Sequence, residues 1–600
     1  MPFPFLSPIR IVRIGFESPK ISFDIPCRVK HHRPTIPMTR TVLFLATVFF
    51  SLNIRAQDSL DKLATDFWSW RTQYQPFNND DIPRIERPGG LKRSWSAAAA
   101  ARQRAELAGF EARWKKLDAT KWQRTQQVDY RLMGSALARV HWELDVNRRW
   151  QRDPTFYIDQ TLTAVTETLL PPPPFDEARS RELVVRLQNI PGILEDAKAN
   201  LQQPAAPFAR LAIELLANIG QDLELVVKEV SPLLTGGRGT ELAPAMQAAA
   251  SALESYRTWL QQRLPKMTEH TAVGREAYAY FFNNVALYTF TPEQLLELSR
   301  QEWARSVAFE HMERQRNRKI PVLKMFANVN EQIKATTEME AQVRRFLTEQ
   351  GLLTIPAGFP HYTIRALPEY LSVLGDFGEQ DDFTGPSRLT ENCIRWTPDP
   401  SDSLGYFAKS NAHDPRPDLV HEGVPGHYLQ LWLGWRNPDP IRRRYYDSGA
   451  NEGLGFYAEE MMLQAGLFDD SPRSREIVYN YMWLRALRVE VDVKLALGEF
   501  TLEQAANYLS RMVPMDEKTA HAEAAMFATQ PGQAISYQAG KLQITKFLAE
   551  ARLRAGEKFD LRAFHDFVWK NGNVPIALQE REWFGERILD PIQALVGSQN

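Results

Sequence analysis

The chain has 600 residues, 44% of them hydrophobic and 24% charged, which is ample material for a large core and, by length alone, for several structural units. With 72 Lys and Arg against 73 Asp and Glu, the formal net charge is −1. That balance removes the electrostatic case for nucleic acid or an anionic membrane surface as a partner.

Residues 1–37 are Pro-rich and basic, show no sustained period, and do not read as part of the mature protein. Met38 then opens a secretory pattern: a basic start at Arg40, an apolar run from Val42 to Leu52 and a small residue at Ala56. The run is shorter than the about 20 residues a bilayer span requires. Residues 38–56 are therefore expected to be a signal peptide, and the mature chain, beginning near Gln57, to be periplasmic or secreted with no stable membrane insertion. No Cys follows the apolar run, which argues against a lipid anchor. Of the two cysteines, Cys27 falls in the stretch expected to be absent. Cys393 alone cannot form an internal bridge, and within CIRWTP it reads as a strand residue rather than a nucleophile.

Residues 57–270 show helical periodicity with breaks. Segments such as SAAAAARQRAELAGFEARWKKL and TQQVDYRLMGSALARVHWELDVNRRW place apolar residues three and four apart, and they are punctuated by Pro171–Pro174 and by the Gly-rich turn at Gly236–Gly239. This is a helical scaffold in which His141 reads as a packed or surface residue. No internal repeat and no phosphate-binding glycine loop is present.

Residues 271–600 form the second expected region. Thr291 followed by Pro292 marks a helix start by its capping hydroxyl and its proline at the first helical position. Between about 350 and 400 the segments LLTIP, HYTIRAL and CIRWTP are short, β-branched or aromatic, and flanked by Pro and Gly, which predicts a small β-ribbon. Such an edge pairs either with an extended substrate backbone or with its own neighbours.

The chemistry concentrates in HEGVPGHYLQ, His421 to Gln430. Metallopeptidase helices usually carry H-E-x-x-H, whose i,i+4 spacing puts both imidazoles on one face. Here His421 and His427 are six residues apart, so on a straight helix they would point roughly 120° apart and sit about 9 Å apart along the axis. Pro425 and Gly426 are expected to kink or bulge the helix and swing both rings to one side. The ordinary alternative is a helix N-terminus with a His on each flank. Further on, NEGLGFYAEEMM places Glu452 and Glu459 two turns apart on one helical face. Two His and a Glu from a second helix, with a position left for water, form a common zinc ligand set. The alternative role for Glu452 is to favour a helix N-terminus.

Four stretches, HEGVPGHYLQ, NEGLGFYAEEM, QPGQAISYQAGKLQI and GEKFDLRAFHDFVWKNGNVPI, in this order, resemble the bacterial family catalogued as domain of unknown function 885. That family in turn resembles the helical zinc peptidases of the thermolysin-like clan, the gluzincins. The resemblance is specific over about residues 271–600. It implies His421, His427 and Glu452 as zinc ligands, Glu422 as general base and Tyr537 as a donor to the oxyanion. Glu459, His521, His565 and Lys541 are the further candidates for support around the metal or an oxyanion, although an isolated His on a helix is more often structural. Three positions depart from the family pattern: Tyr428 where a second His is usual, Met526 where an Arg is frequent, and Ala496 where a His is frequent. The lost Arg puts recognition of a peptide carboxylate in question.

The expected protein is mainly α, a large multi-helix metallopeptidase-like architecture with a central cleft and a small β-ribbon near the metal helix. The expected function is an exported zinc-dependent hydrolase that cleaves small peptides with a metal-activated water. The alternatives are a non-catalytic helical binding protein on a degenerate peptidase scaffold, or a metal hydrolase of a non-peptide amide or ester.

Overall fold

The structure is a computed structural model and describes residues 59–78, 85–378 and 380–589. The reading of residues 1–37 and 38–56 lies outside these. The described chain is mainly helical with one small sheet, as its periodicity predicts. No helix among the described residues is long and apolar enough to cross a membrane.

Helix ends follow local chemistry. Ser96 caps Ala97–Lys115, and Thr291 caps Pro292–Arg316 through a capping box with Gln294. Thr501 and Gln504 repeat that box at Leu502–Met512. The Gly-rich turn carries two left-handed residues, Gly236 at φ 65° and Gly237 at φ 74°, just before the helix Gly239–Arg263.

The sheet has the order β1–β3–β2, with β1 (Tyr362–Ala366) parallel to β3 (Cys393–Thr397) and β2 (Asp381–Asp382) antiparallel to it. HYTIRAL and CIRWTP thus supply strands, and Cys393 is a buried strand residue. LLTIP does not: residues 352–356 form a loop whose Thr354 is held by Asp566 through both its amide and its hydroxyl, so local polar bonds replace a sheet ladder.

The sheet joins two cores. Ile394 and Trp396 of β3 pack with the helices Glu177–Asn200 and Gly239–Arg263, while Tyr362 and Cys393 pack with Tyr428, Leu454 and Trp569. A third cluster unites Leu63, Phe67 and Leu132 with Ile441, Tyr445 and Leu578. The early helices are therefore anchored in apolar contacts with the later ones rather than tethered beside them, and burial of each such side chain stabilises the assembly by about 1.5–3 kcal/mol.

Candidate metal centre

The segment between the two histidines ends one helix and starts another. Leu419–Gly423 is a π-helical turn, Val424 is extended, and the next helix starts at His427 and runs to Trp435. The expected kink is thus a complete break, because Pro425 offers no amide and Gly426 takes a backbone that brings the chain against itself. A Cβ on Gly426 would lie 1.7 Å from the His421 carbonyl oxygen, so no side chain fits there. The Trp569 indole donates to the Pro425 carbonyl at 2.6 Å and pins the break. The result sets the two imidazoles edge to face, with ring centroids 4.7 Å apart.

Glu452 comes from the helix Ser448–Ala465, whose N-terminus Asp447 caps by accepting from the Ala450 amide. Glu452 Oε2 lies 3.4 Å from His421 Nε2 and 3.3 Å from His427 Nε2. All three residues are buried, and they form the one group of metal-competent donors found among the described residues. The distances discriminate between two pictures. Charge-assisted hydrogen bonds would draw these atoms to about 2.7–2.9 Å, whereas ligands about 2.05 Å from a common tetrahedral zinc stand about 3.3–3.4 Å apart. The residues therefore fit a zinc ion. In the protein alone, burial works against charge on His421, but Glu452 and Glu459 outweigh it and raise its pKa to about 9. Burial likewise opposes the charge on Glu452, yet the two imidazoles hold its carboxyl well below the usual range.

Glu459 lies two turns along the same helix. Its Oε1 is 2.6 Å from His421 Nδ1 and 2.9 Å from the Arg485 guanidinium. The first contact is close but off the angle of a straight hydrogen bond. It nonetheless favours the proton on Nδ1, which leaves the Nε2 lone pair facing Glu452 and His427.

Between the two glutamates, Gly455 makes room for the rings. A Cβ there would stand 2.9 Å from His421 Cε1 and 3.0 Å from His427 Cε1. On another face of this helix, Gly453 meets Gly540 of the helix Ser536–Ala555, where an added Cβ would come within 2.4 Å of the Gly540 Cα. Two helices in backbone contact bring Tyr537 beside the cluster, its ring 6.0 Å from that of His421 and tilted by only 18°. Arg488, paired with Glu523, lies over the same tyrosine ring at 4.6 Å.

Glu422 follows His421 in the π-helical turn and is half-buried. Its negative charge is felt by Asp381 and Asp418, both of which also face Arg395. Arg395 pairs with Asp381 at 2.6 Å and with Asp418 at 3.3 Å. Burial pushes Asp381 up to about 8 despite that guanidinium, and the Glu422 carboxylate adds to the rise. The sheet thus brings a charged brace up to the turn that carries Glu422.

The remaining candidates take other roles. His565 is buried between the Tyr457 hydroxyl at 2.9 Å and the Leu352 carbonyl at 2.7 Å, a link between helix and loop. Lys541 is committed to Glu460 at 2.5 Å and Glu302 at 3.1 Å. His521 is half-buried on Glu517–Thr529, outside the donor cluster. The departures from the family pattern fall in packing: the Tyr428 hydroxyl donates to the Glu391 carbonyl, and Ala496 and Met526 belong to apolar clusters. Arg485 and Arg488 were not singled out from sequence. Their signal is two arginines, three apart, inside the otherwise apolar run of the helix Pro472–Leu497.

A mainly helical fold enclosing a buried His–His–Glu donor set defines the class of protein. The chain belongs to the family described as "Bacterial protein of unknown function (DUF885)", whose model matches residues 89–582. Among solved structures it is similar to a candidate lipoprotein of unknown function from Shewanella oneidensis, at 18% identity and a TM-score of 0.67, covering 88% of this chain and 99% of that one. It is also similar to a candidate lipoprotein from Colwellia psychrerythraea, at 20% identity and a TM-score of 0.63, covering 89% of this chain and 98% of that one. At these identities the likeness concerns the fold. No curated protein matches the sequence.

Proposed function

We propose that the protein is an exported zinc-dependent hydrolase of gluzincin type that cleaves peptide bonds of small peptides. The observation that carries this reading is the approach of Glu452 Oε2 to 3.4 Å from His421 Nε2 and 3.3 Å from His427 Nε2, the three residues coming from buried positions on three separate helical segments. Zinc held there would polarise a carbonyl and acidify a water. Glu422, next in sequence to one ligand and half-buried, takes the proton of the attacking water and returns it to the leaving amine. Tyr537 donates to the oxyanion of the tetrahedral intermediate. Glu459 fixes the tautomer of His421, and Arg485 balances the buried charge of Glu459.

Export is supported by the secretory pattern of residues 38–56 and by neighbours described as lipoproteins. The placement of Tyr428, Ala496 and Met526 in packing clusters weakens the alternative of a non-catalytic binding protein on a degenerate peptidase scaffold. The test is hydrolysis of a mixed library of short peptides by the purified chain, with and without the chelator 1,10-phenanthroline. Chelator-sensitive cleavage supports the proposal. Cleavage untouched by chelator, or none from a zinc-loaded sample, contradicts it.

A further inference from the structure

A cavity of about 140 Å³ lies between the early helices and the metal half of the molecule. The triad does not line it. Its wall on the metal side is built from Ser448 and from Pro531–Gln533, in the turn that leads into the Tyr537 helix. Ser448 is informative because Ser448, Glu452, Gly455 and Glu459 recur at spacings of four, three and four, which at 100° per residue keeps them within an arc of about 60° on one helical face. The cavity therefore continues the face that carries the donor set. Along that face it begins about 6 Å before Glu452, or about two residues of an extended peptide.

The early helices give the cavity an aromatic wall, with Trp95, Trp142, Trp150 and Phe156. Three arginines also line the cavity, and their partners differ. Arg71 is paired with Glu143 at 2.5 Å, and Arg149 with Asp153 at 2.7 Å and Asp159 at 3.0 Å. Arg139 has no carboxylate in ion-pair contact among the described residues; its charge reaches Asp447, Tyr288 and Tyr445 only through space. Arg139 also lines a neighbouring cavity of about 290 Å³, whose other basic residues are Arg71, Arg443 and Arg444 and whose one acidic residue is Glu86. The guanidinium thus stands on a wall between an aromatic chamber and a basic one. A half-buried Arg with no direct ion pair beside an aromatic chamber matches a carboxylate attached to a large apolar group.

We infer that this cavity is the subsite for the C-terminal residue of a short peptide, with the aromatic wall taking an aromatic side chain and Arg139 taking the free carboxylate. The inference rests on the hydrolase reading and adds a substrate class to it: peptides with a free acidic end, cleaved within about two residues of that end. It also supplies from the early helices the carboxylate clamp whose loss Met526 suggested.

The test is calorimetric titration of the full chain carrying Glu422→Gln, which leaves the probe intact, with the tripeptide Ala-Ala-Phe as free acid and as C-terminal amide. The acid is expected to bind roughly tenfold or more tightly than the amide, since only the acid offers a charge-assisted contact. Adding Arg139→Gln should erase that preference, while Arg139→Lys, which keeps the charge and loses the planar fork, should keep part of it. Equal binding of acid and amide, a preference unchanged by Arg139→Gln, or no binding of either probe would overturn the inference. Zinc content of the same samples separates it from the reading beneath it. Zinc without acid preference removes the subsite and leaves the hydrolase, and an Arg139-dependent preference without zinc does the reverse.

Discussion

His421 Nδ1 and Glu459 Oε1 stand 2.6 Å apart in the buried interior, so the imidazole that faces the donor set on one side is oriented by a carboxylate on the other. Partners of this kind fix the tautomer of a ligand and raise its basicity. Their loss typically costs 10–100-fold in metal affinity. Glu459→Ala is accordingly expected to weaken zinc binding by about that factor without abolishing it, as read by competition with a chromogenic chelator. An unchanged affinity would remove Glu459 from the site.

Gly455 tests the room given to the rings. Its missing side chain leaves the space that His421 Cε1 and His427 Cε1 occupy, and both belong to stiff buried rings rather than to flexible ends. Gly455→Ala should fold, because alanine favours a helix more than glycine does, yet bind zinc at least tenfold more weakly. Gly426→Ala has no such escape, since the clash is with backbone, and it should destabilise the whole chain. Thermal melting separates the two effects.

Glu422→Gln should keep the metal and lose turnover, because the amide preserves shape while removing the base. Zinc content equal to that of the parent, with kcat lower by 10²-fold or more, is the expected pair of results. Full activity in the variant would mean that another group takes the proton.

Asp492 gives the pH dependence. Its carboxylate accepts from the Gly532 amide at 2.9 Å and from the Tyr278 hydroxyl at 2.9 Å, holding the turn that precedes Tyr537. Burial raises its pKa to about 7, against the pull of those donors. A carboxyl raised above its unfolded value of about 3.9 binds more protons when folded, so stability falls as pH rises from about 4 to 7 and levels off beyond. Melting temperatures of the parent and of Asp492→Asn, compared from pH 4.5 to 8, should show the parent losing ground to the variant up to about pH 7. Parallel curves would contradict this.

Much of this arrangement was legible in the sequence, and what was not has identifiable causes. Helical periodicity and caps such as Thr291 and Thr501 are local signals, and they mark their helices well. His421, His427 and Glu452 were visible as residue types in order, but their convergence depends on a break at Pro425–Gly426 that spacing could suggest only as a kink. LLTIP has the composition of a strand and becomes a loop because Asp566, over two hundred positions away, satisfies Thr354. Arg139, Arg485 and Arg488 were hidden for the same reason: a charged residue inside a helical pattern shows its purpose only when distant elements close around it.

The most direct test of the central claim is the zinc content of the purified chain by elemental analysis, beside that of His427→Ala. About one zinc per chain, absent from the variant, is the result the three converging donors predict. A parent that holds no zinc after exposure to it would show that the cluster is held together by protons, and would contradict the proposed hydrolase.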